Sequence, residues 1–251
     1  MYKKSAPFVI IYEDESIVAV NKASGIAVGA DRWDVSAERL DKILAAHLNR
    51  EKLFIVHRID RDTSGLVIFA KNEESHKKLS MAFESREIKK RYIAVVHGRP
   101  LWKETVCDLP LVPDGNKKHL TIIDKYQGKK SLTRFRLLGS AGNYSIVEAI
   151  PETGRTHQIR VHLASLGHSI VCDEFYGHTK PVFLSAMKPG WRGDRKEERP
   201  LLSRLGLHAA ELILPGNLVL KAPLSRDMAA LVKQMEKCST ALFDIEAIQL
   251  I

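Results

Sequence analysis

Cysteine is scarce in this chain. Its three copies, Cys107, Cys172 and Cys238, lie far apart, with no CxxC and no close Cys/His pairing. An odd, scattered set argues against a disulfide framework. It fits a reducing compartment, so a cytoplasmic location is expected. Long apolar runs are also lacking. None approaches the roughly 18 residues of a membrane-spanning helix, and Met1 to Pro7 lacks the apolar core of a signal peptide, so no membrane role is expected. A glycine-rich phosphate loop is missing too, which leaves an NTPase or a dehydrogenase without support. Histidines are plentiful, but His157 and His162 do not have the i, i+4 spacing of the helical zinc signature, and no metal is expected. Ser64-Gly65 lacks the preceding glycine of a nucleophile elbow. No repeat, low-complexity tract or linker-like break appears, so residues 1–251 are read as one domain.

What the chain has in excess is positive charge. The formal net charge is +9 and the pI about 9.4. An acidic partner is implied, nucleic acid before an anionic membrane surface. At 251 residues the chain is long enough for a substantial core.

One polar run stands out: His57-Arg58-Ile59-Asp60-Arg61-Asp62-Thr63-Ser64-Gly65. It lies between Leu53 to Val56 and Leu66 to Ala70, both short, apolar and rich in β-branched residues, as buried strands are. A loop on such a scaffold is a common place for chemistry. Asp62 to Gly65 carries turn residues, so the rival reading is a solvated turn.

Elsewhere, Phe8 to Tyr12 and Ile17 to Asn21 read as a hairpin. A helix capped by Ser36 should run through Leu40, Ile43, Leu44, His47 and Leu48, with His47 packed. Glu73 to Arg86 reads as a helix, and Lys89-Lys90-Arg91-Tyr92 leads into a strand. That cluster suits phosphate contact plus base stacking. Lys103 to Leu111 and Tyr144 to Ile150 read as strands. Lys117-Lys118-His119, Lys125, Lys129-Lys130, Arg134 and Arg136 suggest a basic hairpin, formed by Thr121 to Ile123 and Leu132 to Leu138. A helix from Thr156 should end at Gly167, with Arg160 facing inward and therefore in need of an anionic partner. Lys180 to Arg204 reads as a long irregular insertion. Leu205 to Leu214 and Leu218 to Lys221 are closing strands, and Ser225 should cap a helix over Arg226 to Lys237. Ala241 to Ile251 is apolar enough to dock. The fold class expected is α+β, a mainly antiparallel mixed sheet flanked by helices.

The central run resembles the HRLDxxTSG signature of the RluA family of RNA pseudouridine synthases. Asn21-Lys22-Ala23-Ser24-Gly25 resembles the family's NKPSG, with alanine for proline, which should loosen a turn. Lys90-Arg91-Tyr92-Ile93-Ala94 is similar to its K-x-Y-x-A strand, Gly154 to His162 to its GRTHQIRVH, and Leu207-His208-Ala209 to its LHA. Gly167-His168, Asp173 and Tyr176-Gly177 follow in order. The matches run from about Val9 to Pro223.

The resemblance implies a stand-alone synthase that isomerises uridines in rRNA or tRNA. It implies neither cofactor nor metal. Many relatives carry an S4 domain in front, but here the first motif begins almost at the N-terminus, so no S4 domain is expected, and with it a monomer. Asp60 would be the catalytic carboxylate, as nucleophile or as base at C2′. Arg160 would be its countercharge. Tyr92 would lie on the uracil ring, with its hydroxyl near C5, and Leu207 on the opposite face. Arg58 would fill the space left by the flipped base. Lys89, Lys90 and Arg91, with the basic hairpin, would hold phosphates. Two other classes remain open: an RNA-binding protein with a vestigial site, and a basic glycosidase using Asp60 and Asp62.

Overall fold

The computed structural model describes residues 7–30, 36–117, 120–239 and 243–248. In chain order the first elements are β1 (Phe8–Glu13), β2 (Ile17–Lys22), α1 (Leu40–His47), β3 (Phe54–Ile55), β4 (Ser64–Ala70) and α2 (Glu73–Glu84). Then come β5 (Lys89–His97), β6 (Glu104–Cys107), β7 (Leu111–Val112), β8 (Ile122–Ile123), β9 (Thr133–Ala141) and β10 (Tyr144–Pro151). The last are α3 (Gln158–Ser165), β11 (Leu207–Ile213), β12 (Val219–Lys221), α4 (Arg226–Cys238) and α5 (Ile245–Ile248). The fold is α+β, with mostly antiparallel strand pairs and a parallel pairing of β4 with β11.

The chain forms two compact units. One takes in residues 1–90 and 208–223, the other residues 91–207 and 224–250. In the first, β1 pairs with β2, β2 with β4, β4 with β11 and β11 with β12, while β3 lies along β4. Every residue of β4 is buried, which is why the segment reads as an unbroken apolar run rather than an alternating one. Leu66, Ile68 and Ala70 pack with Leu79 and Ala82 of α2. In the second unit, β5, β10, β9 and β6 form an antiparallel sheet. Ala94, Val96, Phe135, Val147 and Ala149 pack on it with Ile159 and Leu163 of α3. A short ribbon, β7 with β8, stands apart from that sheet.

The expected hairpin, strands and helices mostly appear, and the differences have physical causes. Ser64 and Gly65 are not turn residues. They begin β4, opposite His208 and Ala209 of the parallel strand. Gly65 sits at φ +110°, and a Cβ there would lie 2.2 Å from the Ala209 carbonyl oxygen. It is a close-approach glycine, not a turn glycine.

Ser36 does not cap α1. The first helical N–H groups, of Leu40 and Asp41, donate to the Ala27 and Val28 carbonyls, so no side-chain cap is needed. Ser225 does not cap α4 with its side chain either. Its hydroxyl accepts from Arg204, which also grips Asp227.

The basic hairpin is not formed, because β8 pairs with β7 and β9 with β10 and β6. Arg134 and Arg136 are ion-paired to Glu152 and Glu148, and Lys118 and His119 lie outside the described residues. The span from Lys103 to Leu111 is broken into β6 and β7. The insertion is closed at its base, where the N–H groups of Val182 and Leu201 bond the carbonyls of Leu202 and Val182, each at 2.8 Å. Of the closing apolar segment, Ala241, Leu242 and residues 249–251 lie outside the described residues, and Ile248 is buried.

Candidate active site

Asp60 is half-buried in the loop between β3 and β4. The loop is a tight turn closed by the Thr63 N–H on the Asp60 carbonyl, at 3.2 Å. What holds it comes from the segment that follows β2. Lys22 is fully buried. Its ammonium donates to the carbonyls of Ala23, Ile26 and Arg61 at 2.9, 2.9 and 2.8 Å. The Gly25 N–H also donates to the Arg61 carbonyl at 2.9 Å, and the Ser24 hydroxyl donates to the Asp62 carbonyl at 2.7 Å. The Arg61 guanidinium returns a bond to the Gly25 carbonyl. A buried ammonium is costly unless its hydrogens are all used, and here three carbonyls face it. The peptides on the C-terminal side of Asp60 are therefore fixed from two directions.

The far end of the loop is anchored to β11. His208 is fully buried; its Nε2 lies 3.2 Å from the Ala222 carbonyl and its Nδ1 2.9 Å from the Ser64 hydroxyl. A carbonyl can only accept, so Nε2 carries the proton and Ser64 donates to Nδ1. The near end rests on His57. Its ring stacks on Phe83 with centroids 4.6 Å apart, and its Nε2 accepts from the Ile68 N–H at 3.0 Å. Burial, then the Lys90 charge, pushes the His57 pKa down to about 3.

This makes His57 a source of pH-dependent stability. The unfolded chain takes up a proton below about pH 6.5 that the folded chain refuses. Stability should be flat above that point and fall as pH drops from about 6.5 toward 3. Urea unfolding at about pH 7.5 and about pH 5 should show a loss on the order of 2 kcal/mol from this group. His57→Gln should remove most of that difference. An unchanged pH slope in the variant would assign the slope to other groups.

In the second unit, Arg160 is 3% exposed. Its Nε and Nη2 donate to the two Asp173 oxygens at 2.8 and 2.7 Å. The guanidinium also lies over the Phe175 and Tyr176 rings, 5.0 and 5.3 Å from their centroids. Burial raises the Asp173 pKa, but the Arg160 donors and the N–H groups of Phe175 and Tyr176 outweigh it, holding the carboxyl below its ordinary value. The expected anionic partner of an inward guanidinium is thus present in its own unit. The remainder of the 154–162 segment builds α3. Gln158 bonds Thr153, Thr133 and the Leu132 carbonyl. His162 meets Thr133 on one ring nitrogen and the Leu109 carbonyl on the other.

The other expected residues fall as follows. Tyr92 is half-buried on β5, opposite Ala149 of β10. Arg58 and Lys89 are exposed. Lys90 is half-buried, with its pKa lowered by burial and then by Arg86.

Two of the expected RNA contacts also touch protein. Arg91 is turned onto protein, with Nη1 on Glu148 at 3.2 Å and on the Ala247 carbonyl at 2.8 Å. Leu207 is 3% exposed and belongs to the core cluster on which Tyr92 packs. It can back the tyrosine but offers little surface of its own. Sequence reasoning gave no role to Lys22, Asp173 or His208. The signal for Asp173 was the demand of a buried arginine for an anion. Lys22 and His208 lie in motifs of the family resemblance, but nothing in those motifs said what their side chains hold.

Comparison with known proteins bears on this arrangement. Residues 16–165 match the family described as RNA pseudouridylate synthase. The chain belongs to the RluA family of RNA pseudouridine synthases. The ribosomal large subunit pseudouridine synthase D of Zymomonas mobilis is 34% identical over 214 residues, 82% of this chain and 64% of that protein. The dual-specificity RNA pseudouridine synthase RluA of Vibrio cholerae is 35% identical over 204 residues, 81% of this chain and 75% of that one. Human RNA Pseudouridylate Synthase Domain Containing 1 has the same fold, with a TM-score of 0.71 at 24% identity over 100% of this chain and 98% of that chain. This chain therefore spans just under two thirds of the Zymomonas relative's length. Among the described residues no helix is long and apolar enough to cross a membrane. The family match, residues 16–165, takes in the loop of Asp60, the strand of Tyr92 and the helix of Arg160.

Proposed function

We propose that this protein isomerises specific uridines in RNA to pseudouridine, with Asp60 as the catalytic carboxylate. The observation that carries the reading is the clamp on the Asp60 loop. A fully buried lysine and a serine hydroxyl of one motif, some forty residues upstream, hold one short turn in place. Such pre-organisation suits a reacting group and exceeds what a solvated turn requires.

Product and substrate are isomers. The C1′–N1 bond breaks, the uracil turns, a C1′–C5 bond forms, C5 loses a proton and N1 gains one. Asp60 attacks C1′ or takes the C2′ proton, and Arg160 serves as its countercharge. Tyr92 stacks on the uracil and its hydroxyl assists at C5, with Leu207 on the opposite face of the ring. Arg58 takes the place of the flipped base, and Lys89 and Lys90 meet phosphates. Arg91 is left out of that set because it is already bound to Glu148. Residues 1–251 act as a single catalytic domain, and the enzyme is a cytoplasmic monomer. The names of the ribosomal relatives favour rRNA as substrate, with tRNA kept as the second expected class.

The test is to delete the gene, map pseudouridine across rRNA and tRNA by chemical modification and reverse transcription, and treat the deletion strain's RNA with purified protein. One or more sites should vanish in the strain and return in the tube. If all sites persist and none forms in the tube, the alternative of an RNA-binding protein without turnover takes its place.

A further inference from the structure

The turn that follows β8 holds an aromatic ring with no structural employment. Tyr126 is 98% exposed, although the turn beneath it is firmly built. The Asp124 carboxylate accepts from the N–H groups of Tyr126 and Gln127 at 2.8 and 3.0 Å. The Gly128 N–H closes the turn on the Asp124 carbonyl at 2.9 Å. Both feet are tied down. The Asp124 N–H donates to the Pro110 carbonyl, and Leu111 and Lys129 exchange a pair of backbone bonds at 3.1 and 2.9 Å. A Cβ on Gly128 would lie 2.2 Å from the Asp124 carbonyl oxygen, so the turn is also tightly packed.

The surroundings of the ring are cationic. Lys125, Lys129 and Lys130 are all exposed, in contrast to Arg134 and Arg136, whose guanidiniums are committed to Glu152 and Glu148. The turn is also tied to the Arg160 group. At the other end of β8, the Thr121 N–H donates to the Tyr176 hydroxyl at 3.0 Å, and Tyr176 flanks Arg160. Five residues of chain span at most about 18 Å, so Tyr126 stands within a few nucleotides' reach of that group.

We propose that Tyr126 is a stacking platform for an unpaired base of the substrate RNA, outside the target uridine, with Lys125, Lys129 and Lys130 holding the phosphates around it. A single exposed ring is ordinary by itself, but one on a braced turn among three exposed lysines has the composition of a single-strand binding surface. The ligand class is single-stranded RNA, and a base in a duplex does not present its face. The proposal rests on an RNA substrate, but its test does not need turnover.

The experiment measures binding of three fluorescein-labelled probes by anisotropy: an oligouridylate, an abasic oligoribose phosphate of the same length, and an RNA duplex. Tyr126→Ala should weaken oligouridylate binding roughly tenfold, the scale of one stacked base. It should leave the abasic and duplex probes unchanged. Tyr126→Phe should bind all three as wild type does, because stacking needs no hydroxyl. Lys129→Ala should weaken all three. An unchanged oligouridylate affinity in Tyr126→Ala, an equal loss on the abasic probe, or a loss in Tyr126→Phe would each overturn the platform. Pseudouridine formation on the deletion strain's RNA is scored in parallel. Failure of wild-type turnover would sink the catalytic reading and leave the binding comparison to decide this one.

Discussion

Asp60→Asn should lower pseudouridine formation by about 10⁴-fold or more, the scale on which removing a catalytic nucleophile acts, with RNA affinity nearly unchanged. The amide keeps the size of the carboxylate and can still accept a hydrogen bond. It can neither attack carbon nor take a proton. The loop itself should survive, because its known anchors are made by the main chain around Asp60: the Thr63 N–H on the Asp60 carbonyl, Lys22 on Arg61 and Ser24 on Asp62. The fitting measurement pairs single-turnover pseudouridine formation with a filter-binding titration on the same RNA. Substantial turnover in the variant would remove Asp60 from the chemistry. Loss of binding together with turnover would make Asp60 an RNA contact instead.

Asp173→Ala should destabilise the second unit by about 3–5 kcal/mol, the usual result of breaking a buried ion pair from one side. The pair's side chains are 4% and 0% exposed, so water cannot replace the carboxylate. The Phe175 and Tyr176 N–H groups lose their acceptor as well. Because the folded Asp173 pKa is lowered, the stabilisation is fully present above the ordinary carboxylate range. It is lost as pH falls through the folded value. Urea midpoints at neutral and acidic pH read both effects, and the wild-type and variant curves should converge in acid. The double variant Arg160→Met, Asp173→Leu should regain part of the stability, since apolar replacements of a buried pair are often tolerated. It should still form no pseudouridine, because the countercharge is gone. A loss below about 1 kcal/mol in Asp173→Ala would equate this pair with a surface one. Turnover by the double variant would take Arg160 out of the mechanism.

Much of this protein was legible in advance, for local reasons. The hairpin of β1 and β2, the helix read over Glu73 to Arg86, which runs over Glu73–Glu84, and the end of α3 before Gly167, at φ +80°, follow from short-range periodicity and turn chemistry. So did the likeness to the RluA family, since each motif is a contiguous run. The inward direction of Arg160 came from helix spacing alone, and the burial of that side chain bears it out.

The failures were non-local. Ser64-Gly65 carries the residues of a turn, yet forms strand because β11, more than 140 residues later, lies against it. The basic hairpin dissolved because strand partners are chosen by the whole sheet; charge clusters along the chain do not say which arginines face carboxylates. Lys22 stood in a motif without a stated task until the fold closed three carbonyls around it. The sequence by itself determined the α+β class, most elements, the family and the reactive candidates, because these depend on residues near one another in the chain. Only the tertiary structure decided which side chains hold the Asp60 loop, which carboxylate Arg160 grips within its unit, and which cations remain at the surface. Burial and hydrogen-bond satisfaction are properties of residues brought together from distant parts of the chain, and no local pattern encodes them.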